Sequence, residues 1–102
     1  MAVTFVRSGL MTPGKYKEAM QWVVDRNLWL METFDIEPAL MVLLGGEVER
    51  IAIAEELESL AQTEEIRRHL ACGARPEELS AGREGLFVPG QSRERLWLHI
   101  PN

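Results

Sequence analysis

Residues 39–57 read Ala39-Leu40-Met41-Val42-Leu43-Leu44-Gly45-Gly46-Glu47-Val48-Glu49-Arg50-Ile51-Ala52-Ile53-Ala54-Glu55-Glu56-Leu57. The unbroken apolar run from Ala39 to Leu44 suits a strand covered on both sides. Gly45-Gly46 supplies a tight turn. The returning strand, Val48 to about Leu57, sets Ile51 and Ile53 against Arg50, Ala52, Ala54 and Glu56 on its other face. A hairpin therefore stands at the middle of the chain, and the fold follows from what flanks it.

Upstream, Ala2 to Leu10 reads as a strand. Thr12-Pro13-Gly14 then opens a helix, with Thr12 as N-cap and Pro13 at the first helical position. Tyr16, Ala19, Met20, Val23, Val24, Leu30, Met31 and Phe34 recur at helical spacing, so this helix extends to about Phe34 and Pro38 prevents its continuation. Asn27 interrupts the apolar stripe. Downstream, Ser59 and Gln62 form a capping box for a second helix that ends near Gly73. Pro76 to Ala81 could add a helical turn, and Phe87-Val88-Pro89-Gly90 leads into a final strand. The order is β-α-β-β-α-β over a single domain, residues 1–102. Such a chain folds as a ferredoxin-like α+β domain, a four-stranded antiparallel sheet with both helices on one face.

The final segment, Arg93 to Ile100, alternates strictly from Arg95. Leu96, Leu98 and Ile100 share one face, and Arg95, Trp97 and His99 the other. The two helices leave one side of the sheet bare. If that side carries Phe5, Trp97 and several alanines, it is an interaction surface. A homodimer joined through the open sheet face is the expected solution, enclosing a cavity in each subunit.

Composition narrows the function. The chain has 102 residues, 46% of them hydrophobic, and a formal charge of -5. That charge, with only two lysines, Lys15 and Lys17, argues against nucleic-acid binding. There is no secretory signal at the N-terminus and no apolar run of bilayer length. The lone Cys72 fits a reducing compartment, and a cytoplasmic protein without a membrane is expected. Glu65, His69 and Cys72 share a helix, but the shortage of ligands argues against a metal site. No cofactor is expected either. Gly45-Gly46 joins two strands and is no phosphate loop. Glu55 and Glu56 point to opposite faces, so they cannot act as an acid/base pair.

The Arg7…Pro13-Gly14-Lys15 opening, the Glu56-Leu57-Glu58-Ser59-Leu60 junction and the closing Phe87-Val88-Pro89-Gly90 resemble the dimeric α/β-barrel superfamily. That group includes antibiotic-biosynthesis monooxygenases and NIPSNAP-like proteins. The resemblance implies the ferredoxin-like fold and a range of activities: cofactor-independent quinone-forming oxygenation, polyketide cyclisation and haem degradation. The haem-degrading branch carries an Asn on the first strand, a Trp near the end of the third and a His on the second helix. The corresponding positions here are Arg7, Leu57 and His69, so only the His is present.

Arg7, Arg95, Trp97, His99 and Phe5 are the candidate site residues. The first and fourth strands of this fold are neighbours, so Arg7 is expected near Arg95 or Trp97. Two arginines over an indole would hold a carboxylate, enolate or phenolate of a small aromatic or polyketide-like molecule between sheet and helices. In a cofactor-independent monooxygenase or cyclase, Arg7 and Arg95 would stabilise developing charge and His99 would move a proton. The alternatives are a ligand carrier or assembly protein, and haem binding through His69. In the carrier or assembly reading, Trp97 anchors an interface while Arg7 and Arg95 pair with Glu56 or Glu94. Trp22 and Trp29, seven apart on the first helix, mark either a docking stripe or a surface covered by the C-terminal tail or the Arg75–Leu86 loop.

Overall fold

The computed structural model describes residues 2–43, 49–70 and 74–101. The Gly45-Gly46 turn, Cys72 and Gly73 lie outside the described residues. The chain runs β1 (Val3–Leu10), α1 (Tyr16–Phe34), β2 (Ala39–Val42), β3 (Arg50–Leu57), α2 (Leu60–Leu70), α3 (Ala74–Arg83) and β4 (Arg93–Leu98). The sheet order is β2-β3-β1-β4, every neighbouring pair antiparallel. This is the expected ferredoxin-like sheet, with a third helix inserted before the last strand. Among the described residues no helix is long and apolar enough to cross a membrane.

Strand parity assigns the two faces. Val3 and Phe5 of β1 and Leu57 of β3 pack with Leu30, Ile36 and Ile66 in one core cluster. Ile51 and Ile53 join Met11, Ala19 and Val23 in a second. The odd-numbered residues of β1 and β3 thus meet the helices, and Thr4, Val6, Ser8, Ala52 and Ala54 occupy the open face. β2 departs from its expected double cover. It is an edge strand whose residues are largely exposed, because β3 and β1 take the two central places.

The start of α1 also differs. Thr12 does not cap it. Lys15 N–H donates to the Thr12 carbonyl at 2.9 Å, and Gly14 has φ of 83°. Pro13-Gly14 therefore makes a β-turn whose third residue needs positive φ, and the helix begins after the turn. Its end is as expected: Asp35, with φ of 54°, donates its backbone N–H to Met31. The α2 capping box forms, with Gln62 N–H donating to Ser59 Oγ at 3.2 Å and Glu58 N–H to Gln62 Oε1 at 2.7 Å.

The ten-residue α3, longer than the turn expected at Pro76–Ala81, covers Trp22. Trp22 Nε1–H donates to the Leu79 carbonyl at 2.8 Å, and its ring meets Phe87 edge-on at 5.7 Å between centroids. Gly9 makes room for Phe87, since a Cβ there would lie 3.1 Å from the Phe87 ring. Of the two readings of Trp22, cover by the 75–86 segment is the one the structure supports. Trp22→Phe should therefore cost about 1 kcal/mol, the usual net worth of one hydrogen bond. Amide exchange should quicken in α3 and remain unchanged in the central strands.

Candidate anion site between sheet and helices

Two charged side chains interrupt the apolar interior, and both stand where hydrophobic residues are due. Arg26 follows Ala19 and Val23 and precedes Leu30 on the inner stripe of α1; Glu55 follows Ile51 and Ile53 and precedes Leu57 on β3. Each residue is only 3% exposed. Arg26 Nη2 lies 3.0 Å from Glu55 Oε1, while Arg26 Nη1 donates to Asn27 Oδ1 at 3.2 Å. That bond accounts for the buried Asn27. Burial pushes the Arg26 guanidinium down from its ordinary value, Glu55 counteracts this, and Arg7 adds to the depression. Arginine remains charged regardless.

Around this pair, further arginines converge on the inner face of β1. Arg7 donates from Nε to Glu94 Oε1 at 2.9 Å, and from Nη2 to the same oxygen. Arg67 Nη2 stands 3.9 Å from the other Glu94 oxygen. Both guanidiniums lie over the Phe5 ring, at 5.9 and 5.8 Å from its centroid. Arg83 packs over Phe87 at 5.1 Å and donates to Ser92 Oγ at 3.1 Å. Burial, then the charge of Arg7, push Arg83 down from its ordinary value, with Glu94 opposing.

These groups line a cleft. Its inner part, bounded by Phe5, Arg7, Arg26, Glu55, Thr63 and Arg67 among others, holds about 340 Å³ of empty space counting its open mouth. Without that open mouth, the cavity has room for only about two water-sized groups. Beyond Arg7 a wider groove of about 1370 Å³, open to solvent, runs past Arg83, Phe87, Gly90 and Ser92 to Glu94.

The five residues expected to form one site divide between two faces. Phe5 and Arg7 face the helices, so Phe5 is not on the open side. Arg95, Trp97 and His99 share the open face with Thr4 and Val6. The register explains the split: Arg7 pairs across the sheet with Glu94, Val6 with Arg95 and Thr4 with Trp97. Within one chain Arg7 therefore meets neither Arg95 nor Trp97. Its partner is Glu94, the alternative pairing expected for it. His99 Nε2 is 2.6 Å from Thr4 Oγ1, away from the cleft. The apolar face of β4 lacks the expected core, and Leu96, Leu98 and Ile100 are all exposed.

Arg26, Glu55, Arg67 and Arg83 were missed as site residues. The first two had a signal, a charge in register with an apolar period; the helical arginines had none. Glu55 and Glu56 do take opposite faces, as expected. His69 lies apart from this cleft. Its Nδ1 is 2.9 Å from the Glu65 carbonyl oxygen, its ring meets Phe34 edge-on, and it is exposed and lines none of the cavities described here. Among the described residues no group of three or more His, Cys, Asp or Glu could hold a metal ion.

The architecture is that of the ferredoxin-like α+β proteins, and solved structures share it over nearly the full length. A NIPSNAP family protein from Agrobacterium tumefaciens superposes with a TM-score of 0.79 at 18% identity, covering 98% of this chain and 94% of that one. An uncharacterized NIPSNAP-like domain protein from Burkholderia xenovorans gives 0.78 at 13% identity, covering 97% and 85%. A variant of SnoaB, a cofactor-independent oxygenase from Streptomyces nogalater, gives 0.74 at 14% identity, covering 99% and 95%. No protein-family model and no curated protein sequence matches the chain. The suspected relationship in fold therefore holds. At these identities it carries the fold alone.

The ion pair makes a direct prediction. Glu55→Leu leaves the Arg26 charge buried without compensation and should cost about 3–5 kcal/mol of unfolding free energy in urea. The double variant Arg26→Met/Glu55→Leu should recover most of that loss. A double variant as unstable as the single one would show that the pair does not act as a unit.

Proposed function

We propose that this protein binds a small aromatic molecule bearing an anionic group, a carboxylate, enolate or phenolate, in the cleft between the sheet and α2/α3. The observation that carries this reading is the placement of Arg7 and Arg67 over the Phe5 ring at the mouth of the inner cavity. Three guanidiniums and one carboxylate line that cavity, in a chain whose overall charge is -5. Positive charge concentrated against low-dielectric walls attracts an anion, and guanidinium N–H groups hold it by charge-assisted hydrogen bonds. Phe5 offers an aromatic surface beside them.

Glu94 occupies Arg7 from the exposed edge strand β4, as a ligand carboxylate would. An entering anion would take its place. Should a reaction follow, guanidiniums aimed at developing negative charge are what a cofactor-independent oxygenation or a cyclisation through an enolate requires. The fold shared with SnoaB, a cofactor-independent oxygenase, agrees with that class. The proposed set keeps Arg7 and Phe5 of the five residues expected, takes Arg67 in place of Arg95, and leaves out Trp97 and His99.

The second reading is a ligand carrier or assembly protein. It draws on the unpartnered Trp97, 58% exposed, and on exposed Leu96 and Leu98. In either case the working unit we propose is a homodimer through the open sheet face, where small residues such as Ser8, Ala52 and Ala54 leave room for an indole from a second copy. The lone Cys72 fits a reducing, cytoplasmic setting.

Calorimetric titration with benzoate tests the cleft. Arg7→Ala should weaken binding by about 10- to 100-fold, since hydrogen bonds to charged groups contribute about 1.5–3 kcal/mol. Glu94→Gln should strengthen it by releasing Arg7. Wild-type affinity in Arg7→Ala, or no binding to any form, would end the proposal. For the assembly, light scattering should give a dimer for the wild type and a monomer for Trp97→Glu. A dimer that survives this substitution would place the interface elsewhere.

A further inference from the structure

Glu55 Oε1 is buried and accepts no hydrogen bond from the described residues. Arg26 supplies charge at 3.0 Å, but without an N–H aimed well enough to make a hydrogen bond. Two donors near it are committed elsewhere: Arg26 Nη1 donates to Asn27, and the hydroxyl of Thr63, which lines the same cavity, donates to the Ser59 carbonyl at 3.4 Å. A buried carboxylate oxygen left in this condition calls for a donor. Glu55 also lines the inner cavity with Arg7, Arg67 and Phe5. A molecule entering that cavity can supply the donor.

We infer that the ligand carries a neutral hydroxyl, phenolic or enolic, that donates to Glu55 Oε1 at the inner end of the cleft, making Glu55 its specificity-determining residue. This rests on the reading of the cleft as a site for an aromatic anion. An ammonium donor is disfavoured because Arg7, Arg26 and Arg67 line the same cavity and would repel a cation. Size agrees with a hydroxyl, since the cavity apart from its open mouth admits only about two water-sized groups and a hydroxyl matches a water in bulk. The ligand class is then a hydroxylated aromatic acid, its anionic group at Arg7 and Arg67 and its hydroxyl turned inward to Glu55. A site built to accept a hydroxyl rejects the analogue lacking one, because the buried acceptor is left unpaired.

The test compares benzoate, the three hydroxybenzoates and the matching methoxybenzoates on the wild-type protein by calorimetry. At least one hydroxybenzoate should bind about tenfold or more tightly than benzoate. Its methyl ether, with no O–H to donate, should bind no better than benzoate. In Glu55→Gln the ratio of hydroxybenzoate affinity to benzoate affinity should shrink. If that variant does not fold, the comparison of hydroxyl with methyl ether on the wild type still decides. Equal affinity for benzoate and every hydroxybenzoate would mean that water serves Glu55, overturning the inference while leaving the anion site intact. Failure of the whole series to bind would overturn both.

Discussion

The Arg26–Glu55 pair constrains the structure more tightly than any apolar contact in it. Two ions in the interior are tolerable only in each other's company, because either alone has an uncompensated desolvation penalty. One sits on α1 and the other on β3, each 3% exposed. The rotation of the helix about its axis and the parity of the strand are therefore coupled. A turn of α1 that buried Val24 instead of Val23 would carry Arg26 away from Glu55. A one-residue slip of β3 would send Glu55 to the open face. Apolar residues tolerate neighbours of similar size, whereas this pair tolerates no substitute partner. It selects one packing of helix on sheet, and that packing sets the walls of the cleft.

The same pair sets the electrostatics around it. Among the described residues, Glu55 and Glu94 are the carboxylates set against Arg7, Arg26 and Arg67, two charges against three. Aromatic rings complete the arrangement: Phe5 beneath Arg7 and Arg67, Phe87 and Trp22 beneath Arg83. A guanidinium stacked on a ring is held by its face while its edge N–H groups remain available. Arginine suits such a layer and lysine does not, which agrees with a chain whose two lysines, Lys15 and Lys17, both lie at the start of α1.

Much of this fold is legible in the residues because the signals are local. The 2-residue alternation of Ile51, Ile53 and Leu57, the Ser59/Gln62 cap and the stop at Pro38 each specify an element without reference to the rest. What local signals cannot specify is which element lies on which. The apolar run of β2 suggests double cover, yet the sheet order leaves it at an edge. Pro13 reads equally as the first residue of a helix or the second of a β-turn, and Gly14, free to take positive φ, decides for the turn. The site is harder still. Arg67 and Arg83 resemble any surface arginine until α2 and α3 are placed, while Arg26 and Glu55 announce themselves only if a charge in an apolar period is read as meaningful.

Strand parity separates the two surfaces of this protein. Along β1, odd residues face the cleft and even residues the open sheet, and the β4 register carries the division across. Glu94 is committed to Arg7, whereas Arg95 and Trp97, beside Val6 and Thr4, face outward. A surface that associates with a second copy and a cleft that admits an anion make opposite demands: one needs a flat, dry floor, the other buried charge. Placing them back to back on the same strands lets each be built without compromising the other. It also connects them. Glu94 and Arg95 are adjacent on an edge strand, so a partner seated against Trp97 would steady the strand that presents Glu94 to Arg7. With the proposed dimer and anion site both in place, the stability of β4 would set how readily Glu94 yields its position.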